Sequence, residues 1–249
     1  LIVKRAEVIR RASLSAGAAG VRDCVLCPPL RFRFNHMAEL PGAGGILCGD
    51  RDFLVIPDLA PVAEGHLLLV TTAHWTCAGA FPEELWRAAE RWRDQVATLY
   101  GQAYGTEDIV VLEHGPARPQ GAGSCIDHAH WHLLPGVRGV RAVVEDHGLT
   151  GMRSSHRVAR ALHAAGRSYL LVEEGGQGRI YAAEDVPGQF LRWAAATAAL
   201  GGGPGRRAQV WRWQETFGTP GNRRRFLATL ETMLSVAEPA AQRPRDNHQ

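Results

Sequence analysis

The sequence predicts an α+β fold in which helices pack on an antiparallel sheet, and three observations carry that expectation. Strand-length apolar runs such as "GILC", "DFLVIP" and "HLLLV" cluster together, so strands and helices segregate instead of alternating strictly as a parallel sheet would require. The turn signals between neighbouring runs are short, "GDR" at 49–51 and "GGQG" at 175–178, which suits hairpins. A chain of 249 residues with 45% apolar composition can also bury one large core.

Residues 1–20 read as a helical lead-in, because Ile2, Ala6 and Ile9 recur among charges at helical spacing before "SAGAAG" breaks the pattern. "DCVLCPP" follows, with Cys24 and Cys27 in a C-x-x-C spacing. Five cysteines in a chain of this size argue against a disulfide framework, so the pair is either a redox couple or half of a metal site. "GILC" and "DFLVIP" then form a hairpin, and "EGHLLLVTTAH" supplies a third strand. In "FPEELWRAAERWRDQVATLYGQAYG", Pro82 opens a helix with Leu85, Ala89, Trp92, Val96 and Leu99 on one face, and Gly101 or Gly105 ends it. "DIVVLEHG" is the next strand, followed by the loop "PARPQGAGS". Beyond residue 150 come a helix at "SHRVARALHAAG", the strands "SYLLVEE" and "GRIYAAE", and helices at "VPGQFLRWAAATAAL" and "NRRRFLATLETMLSV". The tail 238–249 has little to bury and reads as disordered.

Several classes of function are disfavoured. No apolar run approaches the roughly 20 residues that cross a bilayer, and no secretory pattern opens the sequence, so a cytoplasmic protein is expected. The net charge of +3 is spread along the chain, which does not point to nucleic acid, and "NRRRF" reads as a solvated helix start.

The chemistry concentrates in "CIDHAHWHLLP", residues 125–135. In a strand, His128, His130 and His132 share one face while Ala129, Trp131 and Leu133 share the other, so the apolar row seeks the core and the imidazoles line a cleft. Two chemistries suit such a row, a metal site or nucleophilic attack on phosphorus by a neutral imidazole. Spacing alone does not separate them.

"HAHWHLL" resembles the His-φ-His-φ-His-φ-φ motif, with φ apolar, of the histidine triad (HIT) superfamily of nucleotide hydrolases and transferases. The stretch "DFLVIPDLAPVAEGHLLLVTTAHWTCAGAFPEE" is similar to the strand, turn, strand and helix that enter that fold. The resemblance implies a HIT-like domain at 24–148, an α/β extension at 149–237 packed on it, and a lead-in at 1–23. It further implies His130 as the nucleophile, His132 as a hydrogen-bond partner of the phosphate or leaving group, and His128 as the third member of the triad. Asp58 corresponds to the acid that meets the ribose, and Gly123, Ser124 and Cys125 to the donors around the α-phosphate. Glu113 or His114 falls where many relatives hold Asn beside the phosphate. In the extension, Gln189 and Arg192, with Trp211, Arg212 and Trp213, are candidates to close over the base or leaving group.

A branch of the superfamily binds structural zinc, and Cys24, Cys27, His74 and His128 match its ligand set. Two thiolates and two imidazoles close a tetrahedron, which suits structure over catalysis. His36, His66 and His114 are substitutes as ligands. No organic cofactor is implied. The expected function is therefore nucleotidyl hydrolysis or transfer through a covalent histidine intermediate on a purine nucleotide derivative. A non-catalytic nucleotide- or RNA-associated adaptor, or a metallohydrolase with His128 and His130 on a catalytic zinc, are the other readings. A homodimer is left open.

Overall fold

The computed structural model describes residues 24–27, 30–31, 45–200 and 211–237. The lead-in expected at 1–23, His36 and the tail at 238–249 lie outside the described residues.

Eight strands form one antiparallel sheet. β1 (Cys48–Gly49) and β2 (Phe53–Pro57) make the expected hairpin, whose turn is closed by Asp50 Oδ1 accepting from the Asp52 and Phe53 N–H groups at 2.8 Å each. β3 (Leu67–Thr71) pairs with β2 and with β5 (His130–Pro135). β5 in turn pairs with β4 (Ile109–Gly115). The extension continues this sheet. β7 (Tyr169–Glu174) joins the free edge of β4, β8 (Gln177–Ala182) returns beside it, and β6 (Gly151–Arg153) completes the edge, giving the order β1-β2-β3-β5-β4-β7-β8-β6.

Helices cover both faces. α1 (Glu83–Tyr104) ends at Gly105, whose φ of 69° gives the left-handed cap that glycine favours. Its Trp86, Trp92, Val96 and Leu99 bury against Ala129, Trp131, Leu133, Val111 and Leu171, so the apolar row of the triad strand does face the core. α3 (His156–Ala164) and α6 (Pro220–Ala237) share that side, through Ala159 and Met233. On the opposite face, α2 (Val140–Glu145) and α4 (Phe190–Ala199) pack on Val110, Leu112, Leu134 and Val172. The sequence reading passed over α2, β6 and α5 (Trp213–Thr216), each six residues or shorter. Elements this brief carry less than two turns or two pleats of periodicity. Among the described residues, no helix is long and apolar enough to cross a membrane.

Candidate active site

The three histidines occupy two sites. β5 begins at His130, so His130 and His132 alternate onto the face that α4 covers and line a cavity there. His128 precedes the strand, and its ring turns away into a cluster of thiols. The expectation that all three line one cleft is therefore corrected: the backbone bends before β5, where the Ala129 N–H is held by the Trp75 carbonyl at 2.6 Å.

Hydrogen bonds assign the proton on each ring. His130 Nδ1 lies 2.6 Å from the His128 carbonyl, an obligate acceptor, so Nδ1 carries the hydrogen and Nε2 keeps its lone pair. Burial lowers the His130 pKa, which keeps the ring neutral. A second chain of bonds starts at the Val62 N–H, which donates to His66 Nδ1 at 3.3 Å. His66 must then be protonated at Nε2, which lies 3.0 Å from His132 Nδ1. His132 accepts there, and its own hydrogen sits on Nε2. Burial holds His66 down to about 4 and lowers His132 as well, so both rings stay uncharged at neutral pH. His66, read from the sequence as a structural residue, orients His132.

Asp58 and the extension meet over these rings. Asp58 Oδ1 accepts from the Ala60 N–H at 2.7 Å, and Oδ2 accepts from Arg192 Nη1 at 2.7 Å while lying 3.6 Å from both His66 Nε2 and His132 Nδ1. Burial alone would raise the Asp58 pKa, but Arg192, with help from His66 and His132, holds it well below the usual range. Arg192 Nη2 and Nε bond the carbonyls of Ala60 and Trp211. Asp58 lines the cavity with its carboxylate oriented by these bonds. Gln189, at φ 62°, starts α4 and fixes α5, accepting from the Trp213 N–H and donating to Gln214 Oε1. Trp213 Nε1 reaches Cys125 Sγ at 3.1 Å.

One other expectation changes. Glu113 faces the opposite side of the sheet, since β4 alternates, and is bonded by the Ala78 N–H at 2.6 Å and the Tyr169 hydroxyl at 2.9 Å. His114 takes the cavity side instead, where Nε2 accepts from the Leu191 N–H at the start of α4. Gly123, at φ 69°, packs on the extension, where a Cβ would meet the Pro187 carbonyl oxygen at 2.3 Å, and its carbonyl accepts from the Gln189 N–H. Ser124, which lines the cavity, gives its N–H to the Gly121 carbonyl and its hydroxyl hydrogen to the Ile126 carbonyl. Cys125 stands at the cavity wall.

The cavity is walled by Val25, Leu26, Ile56, Leu59, Phe226 and Trp213 around the polar floor of His130, His132, His114 and Arg192. The space in it open to the centre of a water molecule is about 70 Å³.

Beside it, Cys24, Cys27, His74 and His128 place one ligand atom each within 4.8 Å of one another. His128 Nδ1 lies 3.5 and 3.3 Å from Cys24 and Cys27 Sγ, and His74 Nδ1 lies 3.4 Å from Cys27 Sγ. Ligands on a tetrahedral zinc sit roughly 3.3–3.8 Å apart. His128 Nε2 donates to the Thr71 carbonyl at 2.9 Å, which leaves Nδ1 unprotonated toward the thiols, as a metal ligand must be. Thr71, whose hydroxyl also lies 3.0 Å from His128 Nε2, was not singled out from sequence, because a threonine ending an apolar strand carries no signal of such a contact.

Residues 33–136 match the family described as protein similar to CwfJ C-terminal. Solved structures to which the chain is similar include a HIT family hydrolase from Clostridium thermocellum, with 26% identity, TM-score 0.35, and coverage of 47% of this chain and 94% of that one. A Zn-bound histidine triad family protein from Mycobacterium smegmatis has 18% identity and TM-score 0.33, over 59% of this chain and 96% of that one. Yeast Ap4A phosphorylase in complex with Ap4A has 12% identity and TM-score 0.35, over 73% and 81%. No protein of curated function matches.

Proposed function

We propose, for a chain with the motif and α+β fold of the histidine triad superfamily, that it transfers nucleotidyl groups through His130 to water or another acceptor. The observation that supports this most is the hydrogen bond from His130 Nδ1 to the His128 carbonyl, which leaves an uncharged Nε2 lone pair as nucleophile. In the first step the Nε2 lone pair attacks the α-phosphorus in line, a P–N bond forms, and the P–O bond to the leaving group breaks. The Nε2–H of His132 donates a hydrogen bond to the departing phosphate oxygen, which leaves as an anion with the P–O bonding pair. In the second step the acceptor displaces His130, the P–N bond breaks with its electron pair returning to Nε2, and the acceptor's proton is lost to solvent. Arg192, already drawn in by Asp58, supplies fixed positive charge near the phosphate.

The substrate is a purine nucleotide derivative, in keeping with the Ap4A held by the yeast relative. The Cys24, Cys27, His74 and His128 set would hold structural zinc, which supplies no open coordination position for chemistry and ties the segment at 24–31 to the triad. The reading of His128 and His130 as ligands of one catalytic zinc loses support, because their Nδ1 atoms serve different partners.

The test incubates the full chain with a panel of nucleotides labelled at the α-phosphate, quenches in base, where phosphohistidine survives, and maps the adduct in the peptide 125–135. Nucleotidyl mass on His130, with turnover reduced at least about 10³-fold in His130→Ala, is expected. An adduct elsewhere, or His130→Ala with unchanged turnover, sinks the mechanism and favours the adaptor reading.

A further inference from the structure

Arg31 lines the triad cavity and is 5% exposed. Its Nε donates to the Leu26 carbonyl at 2.5 Å and its Nη2 to the Thr71 carbonyl at 3.4 Å, which fixes the guanidinium at the end of β3. Carbonyls and water can satisfy its N–H groups, but neither neutralises a buried cation. Burial lowers the Arg31 pKa, and only the Cys27 and Cys24 thiols act in the opposite sense, so among the described residues no carboxylate balances it. Zinc on that cluster would cancel the two thiolates and leave Arg31 unmatched.

The other charges of the cavity are already matched. Arg192 and Asp58 form an ion pair at 2.7 Å, and burial lowers the pKa of His114, His130 and His132. Strand register sets that pair and Arg31 at opposite ends. The Asp58 N–H bonds the His66 carbonyl just before β3, whereas Thr71 ends β3, five residues and about 17 Å further along. Between them, Leu68 pairs with His132 and Val70 with His130. The rings of His130 and His132 have centroids 5.0 Å apart, close enough for one phosphate to meet both. A phosphorus seated there carries one substituent toward a neutral end, where Asp58 can accept from sugar hydroxyls, and another toward an end with one unmatched positive charge.

Resting on the nucleotidyl-transfer reading above, we infer that Arg31 selects the leaving group by binding a phosphate in it, so that the substrate is a phosphoanhydride and not a phosphoramidate. As His130 Nε2 bonds the α-phosphorus and the bridging P–O bond breaks, the bonding pair leaves on the departing phosphate. The negative charge gained there falls toward a cation that Leu26 and Thr71 already hold in place. A neutral base edge would leave the buried charge unbalanced.

The test compares, with the full chain, two probes that donate the same AMP group: diadenosine tetraphosphate, and adenosine 5′-phosphoramidate, whose leaving group has no phosphate. Arg31→Met is expected to lower the ratio of kcat/KM for the first probe over the second by about 10²-fold, and Arg31→Lys to keep the ratio within about tenfold of wild type. Inorganic pyrophosphate is expected to inhibit wild-type turnover of the phosphoramidate competitively, a result that needs no variant to fold. An unchanged ratio in Arg31→Met, or a wild type that pyrophosphate does not inhibit, overturns the inference, while an AMP adduct on His130 from either probe leaves the nucleotide reading standing. A variant that changes the preference between guanosine and adenosine forms of one probe, and not the ratio, assigns Arg31 to the base and also overturns it. No adduct from either probe removes both.

Discussion

At the scale of single residues, the histidines of the cavity are kept uncharged by burial beside the Asp58–Arg192 ion pair. His66, His114 and His132 are each lowered by desolvation, His66 to about 4, against about 6.5 in an unfolded chain. For a base whose folded pKa is depressed, the unfolded state binds the extra proton, so stability is present above pH 6.5 and drains away as pH falls toward 4. Glu113 works in the opposite sense. Burial raises it to about 7 against about 4.5 unfolded, with the Ala78 N–H and Tyr169 hydroxyl pulling it back, so its contribution declines as pH rises through that interval. Three histidines outweigh one carboxyl. Urea unfolding of wild type is expected to show stability falling between pH 6.5 and 5, by up to about 1.4 kcal/mol per pH unit for each net proton, and Glu113→Gln is expected to make that fall steeper. A flat profile, or a shallower one in the variant, contradicts the assignment.

At the scale of elements, residues 24–27 dock on the sheet through a small apolar cluster, Leu26 with Leu68 and Val70 beside Val25, Ile56 and Ile126, and Arg31 bonds the carbonyls of Leu26 and Thr71. The proposed zinc on Cys24, Cys27, His74 and His128 would anchor the same residues. Metal analysis of the purified protein is expected to find about one zinc per chain. Removal by a strong chelator is expected to lower Tm by more than about 5 °C and to expose Cys24 and Cys27 to a thiol reagent. Protein free of metal with unchanged Tm and protected thiols refutes the anchor. Much of the fold was legible in the sequence: the strand face of His130 and His132 and the amphipathic stripe of α1 follow from period, while the grouping of Cys24 and Cys27 with His74 and His128 came from the resemblance and not from spacing. Glu113 was misplaced because adjacent residues of β4 face opposite ways, and no apolar neighbour in "LEHG" fixed which one faced the cleft.

At the scale of the whole molecule, one sheet runs from residue 48 to residue 182. The extension hydrogen-bonds to β4 along five residue pairs and supplies Tyr169 to Glu113, for which Gly115 leaves room, since a Cβ there would meet the Tyr169 ring at 2.2 Å. A fragment ending at residue 148 would present β4 as a bare, apolar edge. It is expected to elute as large aggregates in size-exclusion chromatography where the full chain does not, and a well-behaved monomeric fragment with a cooperative melt would show the extension to be dispensable for folding.

The peptide at His128 belongs to both halves of the site: its ring reaches the thiols while its carbonyl receives the hydrogen of His130. Oxidising Cys24 or Cys27 therefore need not touch the cavity to silence it. A turn of that one peptide plane would let the neighbouring ring switch tautomer and bury its reactive electron pair under a hydrogen, a failure read by nitrogen chemical shifts before any loss of fold.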